Sequence, residues 1–406
     1  PVIHCPWNGG IVLFQTLDDK KECHGIYQAG KFYHDRHPEK LSRSWNYAPY
    51  LKGEKVDYAF LYTRGKSLGD VCPEHLKEDW EKISNRMKAF VRSFAEAKIS
   101  LQYVCFYDLV PKNFLIELCE IKNRICEHVF DTYAKPENYD FLLATSELLG
   151  DISQQKVIFD PSYLKSNRHD PKARGWLNRI SNSKQVVEYD IFGTRTGRLS
   201  TKKKSFPIMT LPRLYRQCIK PENDWFLELD FNAAELRTIL ALSGFEQPQE
   251  DLHAWNAKNI YASKYSRQET KTKIISWLYN PSAVHYTAAK YYNRDSIREQ
   301  YWDGKQVKTP FGRTIQADYD HALNYVVQST TSDLTLKQAI KLSKMLEGKK
   351  TRIAFCLHDS VVLDMSHEDK AMIKDIAQTF SQTELGKYFV NIGIGKDFGR
   401  MRTVNI

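Results

Sequence analysis

The hydrophobic pattern changes its period within residues 225–237, which makes this stretch the clearest structural signal in the chain. Residues 225–231 alternate with a period of two, and this pattern predicts a β-strand. Residues 233–237 then have good helix propensity. Asp230 is therefore expected where a strand ends and a helix begins, with its carboxylate facing a ligand beyond the strand end.

Other stretches predict further elements. From residue 73 to residue 130, apolar side chains recur at intervals of three and four, which predicts two long amphipathic helices. Residues 351–365 form two apolar runs around a polar turn, which predicts a β-hairpin with His358 and Asp359 at its tip. Residues 11–17 and residues 58–63 are each expected to form a strand.

Four residues at intervals of four predict a functional helix face: Arg267, Lys271, Ile275 and Tyr279. On an α-helix this spacing places them along one face that is about 18 Å long. Such a face can lay cations along a triphosphate and place an aromatic ring near a base. Pro281 disfavours the helical conformation in the residue before it, so the helix is expected to end there.

Composition narrows the class of partner. Lys and Arg outnumber Asp and Glu by 59 to 49, a formal net charge of +10, which favours a polyanionic partner. The basic residues between 153 and 185 are expected to contact a nucleic-acid backbone. No apolar run approaches the ~20 residues that span a bilayer, and the first residues lack the pattern of a signal peptide. Eight cysteines without a CxxC motif indicate a reducing compartment.

Five segments resemble, in family order, the motifs of family A DNA polymerases, the bacterial DNA polymerase I group. Residues 196–200, Thr-Gly-Arg-Leu-Ser, match the start of the family's Thr-Gly-Arg-Leu-Ser-Ser. Residues 230–237 are similar to its Asp-Tyr-Ser-Gln-Ile-Glu-Leu-Arg, and residues 267–279 to its Arg-x3-Lys-x3-Phe-x3-Tyr helix. Residues 324–333 resemble Asn-x3-Gln-Gly-Thr-Ala-Ala-Asp, and residues 357–360 resemble Val-His-Asp-Glu.

The chain departs from the family pattern at several of these positions. Ala233 replaces a Gln, Ile275 stands where the family has Phe or Tyr, and Asp320 stands where it has Arg. Ser360 replaces the Glu that follows the His-Asp pair. This last departure implies that the number of acidic metal ligands is at its minimum of two.

The resemblance implies a role for each matched residue. Asp230 and Asp359 would hold two Mg²⁺ ions ~3.5–4 Å apart, and Lys271 would act in catalysis with them. Glu235 would lie under the incoming ribose and exclude a 2′-hydroxyl. The nucleotide-binding residues would be Arg267, Lys271, Ile275, Tyr279, His253 and Glu235. The DNA-binding residues would be Arg198, Asn324, Gln328 and His358.

The resemblance also implies an α+β architecture, a right-hand polymerase with an antiparallel palm sheet, helical fingers and a helical thumb. The expected divisions are an N-terminal region of unassigned role, a thumb-like region, a first palm segment, the fingers and a second palm segment, at residues 1–80, 81–190, 191–244, 245–323 and 324–406. No Asp-x-Glu follows a predicted strand before residue 190. A 3′→5′ exonuclease is therefore not expected.

The implied function is a template-directed DNA polymerase that adds dNTPs to a primer 3′ end, in replication or repair for a phage, plasmid or cell. The implied partners are primer-template DNA and dNTPs, without a membrane and with room for a separate proofreading or processivity subunit. The implied location is the cytoplasm, at a nucleoid or viral replication site. Two alternatives stay open. One is a single-subunit RNA polymerase, against which Glu235 argues; the other is a catalytically silent DNA-binding subunit, against which Asp230, Asp359 and Lys271 argue.

Overall fold

A computed structural model describes residues 11–20 and 22–404. The chain divides into two compact units, Pro1–Gln154 and Gln155–Ile406, each of which is described by itself. The division falls inside residues 81–190, the range expected to form the thumb-like region, and the predicted domain boundaries stay a prediction. None of the helices in the described ranges combines the length and the apolar character needed to span a bilayer.

The first unit places short strands before longer helices. Its strands are β1 (Gln15–Thr16), β2 (Gly25–Gln28), β3 (Lys31–His34), β4 (Arg43–Ser44) and β5 (Asp57–Tyr58). Its helices are α1 (Ala59–Tyr62), α2 (Lys77–Glu96), α3 (Lys112–Thr132) and α4 (Tyr139–Ser153). Strands β1, β2 and β3 form an antiparallel sheet, and β4 pairs with β5 in parallel. The two predicted amphipathic helices, α2 and α3, are confirmed.

Two details of the first unit differ from the sequence-based expectation. The strand predicted over residues 58–63 is wrong, because β5 ends at Tyr58 and the chain then turns into α1. A short apolar run cannot distinguish a buried helical turn from a strand by its periodicity alone. The strand predicted over residues 11–17 shrinks to Gln15–Thr16.

A disulfide joins Cys23 and Cys105, with their Cα atoms 5.5 Å apart. The cysteine pattern, which indicated a reducing compartment, did not predict this pair, because 82 positions separate the two residues. The remaining cysteines of the described residues are buried and free: Cys72, Cys119, Cys126, Cys218 and Cys356.

The second unit contains the predicted motifs. Its strands are β6 (Ile158–Phe159), β7 (Tyr189–Asp190), β8 (Ser200–Thr201), β9 (Ile219–Lys220), β10 (Trp225–Phe231), β11 (Gln306–Lys308), β12 (Thr314–Gln316), β13 (Arg352–Leu357), β14 (Ser360–Met365), β15 (Gln382–Thr383), β16 (Gly386–Lys387), β17 (Val390–Gly395) and β18 (Arg402–Val404). Its helices are α5 (Ser162–Ser166), α6 (Pro171–Ser181), α7 (Ala234–Leu242), α8 (Leu252–Asn259), α9 (Arg267–Tyr279), α10 (Tyr286–Tyr291), α11 (Arg294–Tyr301), α12 (Tyr319–Met345) and α13 (Ile373–Ser381).

An antiparallel sheet in the order β13-β14-β10-β17-β18 forms the centre of this unit. Strand β10 alternates as predicted from residue 227 onward: Leu227, Leu229 and Phe231 are buried, whereas Glu228 and Asp230 are half-buried; Phe226 is buried as well. The Phe231 ring stacks on Phe380 of α13 with the centroids 4.3 Å apart, which fixes the buried face of the sheet. The other face of β10 is thereby left for polar chemistry.

Helix α7 begins directly after β10, so the predicted strand-to-helix change is confirmed. The turn between them passes through Ala233 at φ 54°, a left-handed conformation that a residue with a Cβ adopts at a cost. Helix α7 packs on α12, and the Thr238 and Thr331 hydroxyls are hydrogen-bonded across this contact at 2.8 Å. The predicted helix at 267–279 is confirmed with its predicted end before Pro281.

Candidate active site

The hairpin β13–β14 brings Asp359 to the end of β10, next to Asp230. Asp230 is paired in register with Ser360 on one side and Asn391 on the other. Asp359 immediately precedes Ser360, and its carbonyl oxygen accepts a hydrogen bond from the Phe231 N–H at 3.3 Å. Two carboxylates that lie 129 positions apart in sequence therefore meet at one edge of the sheet, as the hairpin prediction required.

Both carboxylates are held in an environment that disfavours their charge. Burial, followed by the negative charge of Asp359, raises the pKa of Asp230 to about 7, although the Asn391 amide and the charge of Lys271 oppose this. Burial also raises the pKa of Asp359. The uncharged Asn391 amide donates from Nδ2 to Asp230 Oδ2 at 3.2 Å. Among the described residues, no Lys, Arg or His side chain forms an ion pair with Asp230 or Asp359.

The hairpin turn fixes its two other predicted residues. His358 has a φ of 51°, and burial lowers the pKa of its imidazole. Ser360 donates from its hydroxyl to the Leu357 carbonyl at 3.1 Å, so this hydroxyl closes the turn. A serine at this position thus supplies a turn contact where the family has a carboxylate.

Glu235 forms hydrogen bonds with two other predicted site residues, Arg198 and Tyr279. Arg198 donates through Nη2 to Glu235 Oε1, and the Tyr279 hydroxyl donates to Glu235 Oε2 at 2.5 Å. Tyr279 is the last residue of α9, whereas Glu235 lies in the first turn of α7. Burial raises the pKa of the Tyr279 hydroxyl well above its usual range, and the Glu235 charge adds to this. The phenol therefore stays protonated and remains a donor.

Arg267 is paired with Asp251, a residue that the motif comparison did not assign to the site. The guanidinium donates to both carboxylate oxygens, from Nε at 2.9 Å and from Nη2 at 2.6 Å. Asp251 also accepts from the Ala254 N–H at 2.8 Å and from Asn232 Nδ2 at 2.9 Å. Although burial opposes it, these hydrogen bonds and the Arg267 charge hold the pKa of Asp251 below its usual range.

His253 lies beside this pair in α8 and is 5% exposed. Burial, assisted by the nearby charges of Arg267 and Lys271, lowers its pKa to about 4. The imidazole is therefore neutral at pH 7 and can act there as a hydrogen-bond donor but not as a cation. Its Nδ1 atom is buried and has no hydrogen-bond partner among the described residues.

Lys271 and Ile275 occupy the same face of α9 as Arg267 and Tyr279. Lys271 is exposed, and its charge acts on Asp230 in the palm as well as on His253. Ile275 is half-buried and packs against the apolar cluster formed by α8, α9 and α12. The predicted helix face therefore consists of two exposed cations, Arg267 and Lys271, followed by the half-buried side chains of Ile275 and Tyr279.

A buried ion pair supports the segment that carries Arg198. Gly197 has a φ of +76°, and a Cβ there would lie 2.3 Å from the guanidinium carbon of Arg313. Arg313 donates to Asp333 of α12 from Nε at 3.1 Å and from Nη2 at 2.6 Å, and Asp333 is fully buried. Ser332 donates to the Gly197 carbonyl at 3.0 Å. The glycine is required because the arginine lies directly against its backbone.

Two predicted DNA-binding residues lie on α12. Asn324 and Gln328 are half-buried and one helical turn apart, so they share one face of the helix. The side-chain oxygen of Asn324 is buried without a hydrogen-bond partner among the described residues. An orphaned buried acceptor normally has a partner, and a bound strand can supply one.

Arg237 is fully buried and forms structural contacts. Its guanidinium donates to the carbonyl oxygens of Asn232, Pro248 and Glu250, each at 2.7 Å. Burial lowers its pKa to about 10, so it remains charged at neutral pH. The arginine at the end of the motif thus organises the loop that leads from α7 into α8.

The structure adds residues that sequence reasoning did not assign. Asp251 and Asn391 each complete a contact with a predicted site residue, and Arg313 supports the segment that carries Arg198. Asp251 was visible as a possible N-cap two positions before His253. Asn391 had no sequence signal, because its role depends on the register between β17 and β10.

The five-stranded antiparallel sheet that carries the acid pair, with α9 and α12 beside it, gives this chain the architecture of a polymerase domain. The chain resembles the POL domain of Pol1 from M. smegmatis, a structure solved in complex with DNA primer-template and dNTP. The TM-score is 0.61 at 12% sequence identity, and the match covers 85% of this chain and 82% of that one. The predicted α+β polymerase fold is confirmed.

The chain is also similar in sequence to a protein named DNA polymerase. The chain is 25% identical to the DNA polymerase of Mycobacterium phage D29 over 51% of its own length. The match spans 39% of the phage protein, so this chain corresponds to less than half of that relative. No family model matches the sequence. The two similarities confirm the predicted resemblance to family A polymerase domains.

Proposed function

We propose that this chain is a template-directed DNA polymerase that adds dNTPs to a primer 3′ end, in replication or repair. One observation carries the proposal: β10 and the β13–β14 hairpin bring the half-buried carboxylates of Asp230 and Asp359 together without a cationic ion-pair partner among the described residues. Buried charges are normally paired or bind metal. The similarity to a polymerase domain and to a phage DNA polymerase supports the same conclusion.

The acid pair fits divalent cations. Mg²⁺ takes oxygen ligands, usually one or two carboxylates together with phosphate oxygens of the substrate. Among the described residues, no group of three or more His, Cys, Asp and Glu side chains forms a closed metal site. Asp230 and Asp359 would therefore hold two Mg²⁺ ions that the substrate helps to complete. When bound, the ions supply charge neutralisation at the attacking and leaving oxygens.

The helix α9 and its neighbours would bind the triphosphate. Phosphoryl transfer depends mainly on positioning and on neutralising the charge of the transferred group. Lys271 supplies an exposed cation next to the acid pair, and Arg267 is oriented at the N-terminus of the same helix. His253 would donate a neutral hydrogen bond, in keeping with its lowered pKa. Ile275 would contribute apolar surface to the nucleotide pocket.

Selection of the sugar and positioning of the strands would fall to the remaining residues. Glu235, fixed by Arg198 and Tyr279, would lie under the ribose and exclude a 2′-hydroxyl. We assign the primer and template contacts to Arg198, Asn324, Gln328 and His358. The proposed divisions are palm at 191–244 and 324–406, fingers at 245–323 and thumb at 81–190. Residues 1–80 stay without an assigned role.

Primer extension with dNTPs and with NTPs tests this proposal against its two alternatives. A DNA polymerase extends with dNTPs in the presence of Mg²⁺ and prefers them to NTPs. Preference for NTPs would favour the single-subunit RNA polymerase. DNA binding without extension by either substrate would favour the silent DNA-binding subunit. Asp230→Asn serves as the inactive control, because it preserves volume and removes the charge.

A further inference from the structure

A further carboxylate, that of Glu228, lies on the same face of β10 as Asp230. Side chains two positions apart on a strand point to the same side of the sheet, so these two residues share one face. Both are half-buried, whereas Phe226, the next residue on this face, is buried in the core. The segment that resembles the family motif begins at residue 230, so Glu228 lies outside it and has no role assigned by the resemblance.

The strand register leaves room for the Glu228 carboxylate above β17. Glu228 is paired with Val362 of β14 and with Gly393 of β17. A Cβ at Gly393 would lie 3.5 Å from Glu228 Oε2, so the carboxylate extends over this glycine. The next pair on the same face is Asp230 with Asn391, whose amide donates to Asp230. Glu228 and Asp230 therefore occupy successive positions in one polar row.

The Glu228 carboxylate has no ion-pair partner in the part of the chain that the structure describes. Arg216 and Arg213 act on its charge from beyond ion-pair distance. The negative charge of Asp359 also acts on Glu228, and the charge of Glu228 acts on Asp230. Three carboxylates therefore repel one another at this end of β10, and a bound cation would relieve the repulsion.

This further charge matters because Ser360 stands where the family has an acid. The Ser360 hydroxyl donates to a backbone carbonyl and brings no charge to the site. Ser360 is paired with Asp230 from β14, whereas Glu228 lies two positions before Asp230 on β10 itself. The carboxylate that is missing from one strand is thus matched by a carboxylate on the neighbouring strand.

Direct ligation of one ion by all three acids does not fit the geometry. Side chains two positions apart on one strand face are ~7 Å apart. Within the described ranges, no group of three His, Cys, Asp and Glu side chains is arranged to hold a metal ion. Protein-bound Mg²⁺ usually keeps several waters, and groups outside the ligand shell commonly bind such waters and tune the site. Glu228 is placed for this indirect role.

We propose that Glu228 is a positioning residue of the metal site, which accepts hydrogen bonds from the hydration shell of the ions and raises the affinity of the acid pair for divalent cations. The inference rests on the proposed polymerase function, because that function assigns the ions to Asp230 and Asp359. Glu228 would act through the charge and the water structure of the site and would not contact the reacting atoms.

Binding of Mn²⁺ to the DNA-free chain, measured by the EPR signal of the free ion, tests the proposal without relying on catalysis. Glu228→Gln should weaken Mn²⁺ binding about tenfold or more, the usual cost of losing a partner outside the ligand shell. This variant should fold, because a neutral amide is easier to bury than an unpaired carboxylate, and its Tm provides the check. Glu228→Asp should bind Mn²⁺ more tightly than Glu228→Gln, because it keeps the charge. Equal Mn²⁺ affinity in Glu228→Gln and the wild type would overturn the proposal.

A matched control separates this site from general electrostatics. Glu299→Gln makes the same charge change at an exposed position of α11. It should leave Mn²⁺ affinity unchanged, and a loss as large as that of Glu228→Gln would mean that only the net charge of the chain matters.

A double-mutant cycle with Asp230→Asn tests whether both acids serve the same ions. Once Asp230→Asn has removed the site, Glu228→Gln should have no further effect on Mn²⁺ binding. A further loss of the same size would place Glu228 at a separate cation site and would contradict the proposal.

Two functional measurements complete the test. Half-maximal primer extension by Glu228→Gln should require about tenfold more Mg²⁺ than the wild type requires. Tighter duplex binding by Glu228→Gln, with its Mn²⁺ affinity unchanged, would show that Glu228 repels the DNA backbone instead, and would overturn the proposal. Absence of extension by the wild type at every Mg²⁺ concentration would refute the polymerase function, whereas a difference in Mn²⁺ affinity would still support the role of Glu228.

Discussion

Two aspartates of the second unit have pKa values that are shifted in opposite directions by their surroundings. Asp230 in the palm sheet is half-buried beside another carboxylate, and its pKa is raised to about 7. Asp251 at the start of α8 receives four hydrogen bonds, two of them from Arg267, and its pKa is held below the usual range. A carboxylate whose charge is satisfied inside the protein organises structure. A carboxylate whose charge is left unsatisfied needs a cation from outside.

The largest expected effect follows from removing the unsatisfied charges. Asp230→Asn or Asp359→Asn should abolish primer extension, because either change removes a ligand from the proposed metal site. Duplex DNA binding should stay within a few-fold of the wild type, since it depends on the basic surface. Steady-state extension and a gel-shift titration measure both quantities. Extension near the wild-type rate by either variant would contradict the assignment of the palm residues.

Replacing Lys271, the exposed lysine whose charge acts on Asp230, should have the second-largest effect. Lys271→Ala is expected to lower single-nucleotide incorporation ~10²–10³-fold, a loss typical for a group aimed at transition-state charge. Lys273→Ala is a matched control two positions along the same helix, because Lys273 lies on its other side. Single-turnover rates on a one-nucleotide overhang provide the comparison. A loss under threefold in Lys271→Ala would mean that α9 is placed wrongly relative to the substrate.

A substitution at Glu235 tests whether a carboxylate that already accepts hydrogen bonds from Arg198 and Tyr279 can also select the sugar of the substrate. Glu235→Ala should raise NTP incorporation while dNTP use falls only modestly, because it removes the group that we propose crowds a 2′-hydroxyl. The ratio of dNTP to NTP efficiency is the readout. Tyr279→Phe removes the hydrogen bond to Glu235 but keeps the carboxylate, so it should change the ratio less. A ratio that does not move in Glu235→Ala would return weight to the RNA polymerase alternative.

Asp251 should show a smaller effect of a different kind. Asp251→Asn keeps a side-chain acceptor for the Ala254 N–H but removes the ion pair with Arg267. We expect KM for dNTPs to rise about 10-fold to 100-fold, since ~1.5–3 kcal/mol is typical of a hydrogen bond to a charged group. The turnover number should change less than KM. A fall in kcat with KM unchanged would indicate that Arg267 is not positioned by Asp251.

The smallest expected effect is on thermal stability, whose pH dependence should differ in sign between Asp230→Asn and Asp251→Asn. The pKa of Asp230 is about 7 in the folded chain, whereas its ordinary value is 3.8, so the folded state binds more protons between these values. Stability in metal-free buffer should therefore fall as pH rises from about 4 to about 7. Asp230→Asn should remove this loss and raise Tm at pH 8 relative to the wild type, but not at pH 4. Asp251→Asn should lower Tm at pH 8.

The sequence contained the local features of this site. Strand β10, helix α9 and the β13–β14 hairpin were predictable because each is encoded by a short periodic pattern around Asp230, Lys271 or Asp359. Contacts that depend on tertiary register were not predictable. Asn391 reaches Asp230 only because β17 pairs with β10, and Arg313 reaches Asp333 across 20 positions. The neutral state of the His253 imidazole also required the structure, because it results mainly from burial.

Arg237 has a consequence for protein engineering. Its guanidinium binds the carbonyl oxygens of Asn232, between β10 and α7, and of Pro248 and Glu250, in the loop before α8. Lysine cannot replace it, because one ammonium cannot present the planar fork that reaches all three acceptors. The two segments are therefore not interchangeable modules. A chimera that replaced the chain after residue 244 with the equivalent segment of a structural relative would fold well only if the new loop offered carbonyl oxygens in the same geometry.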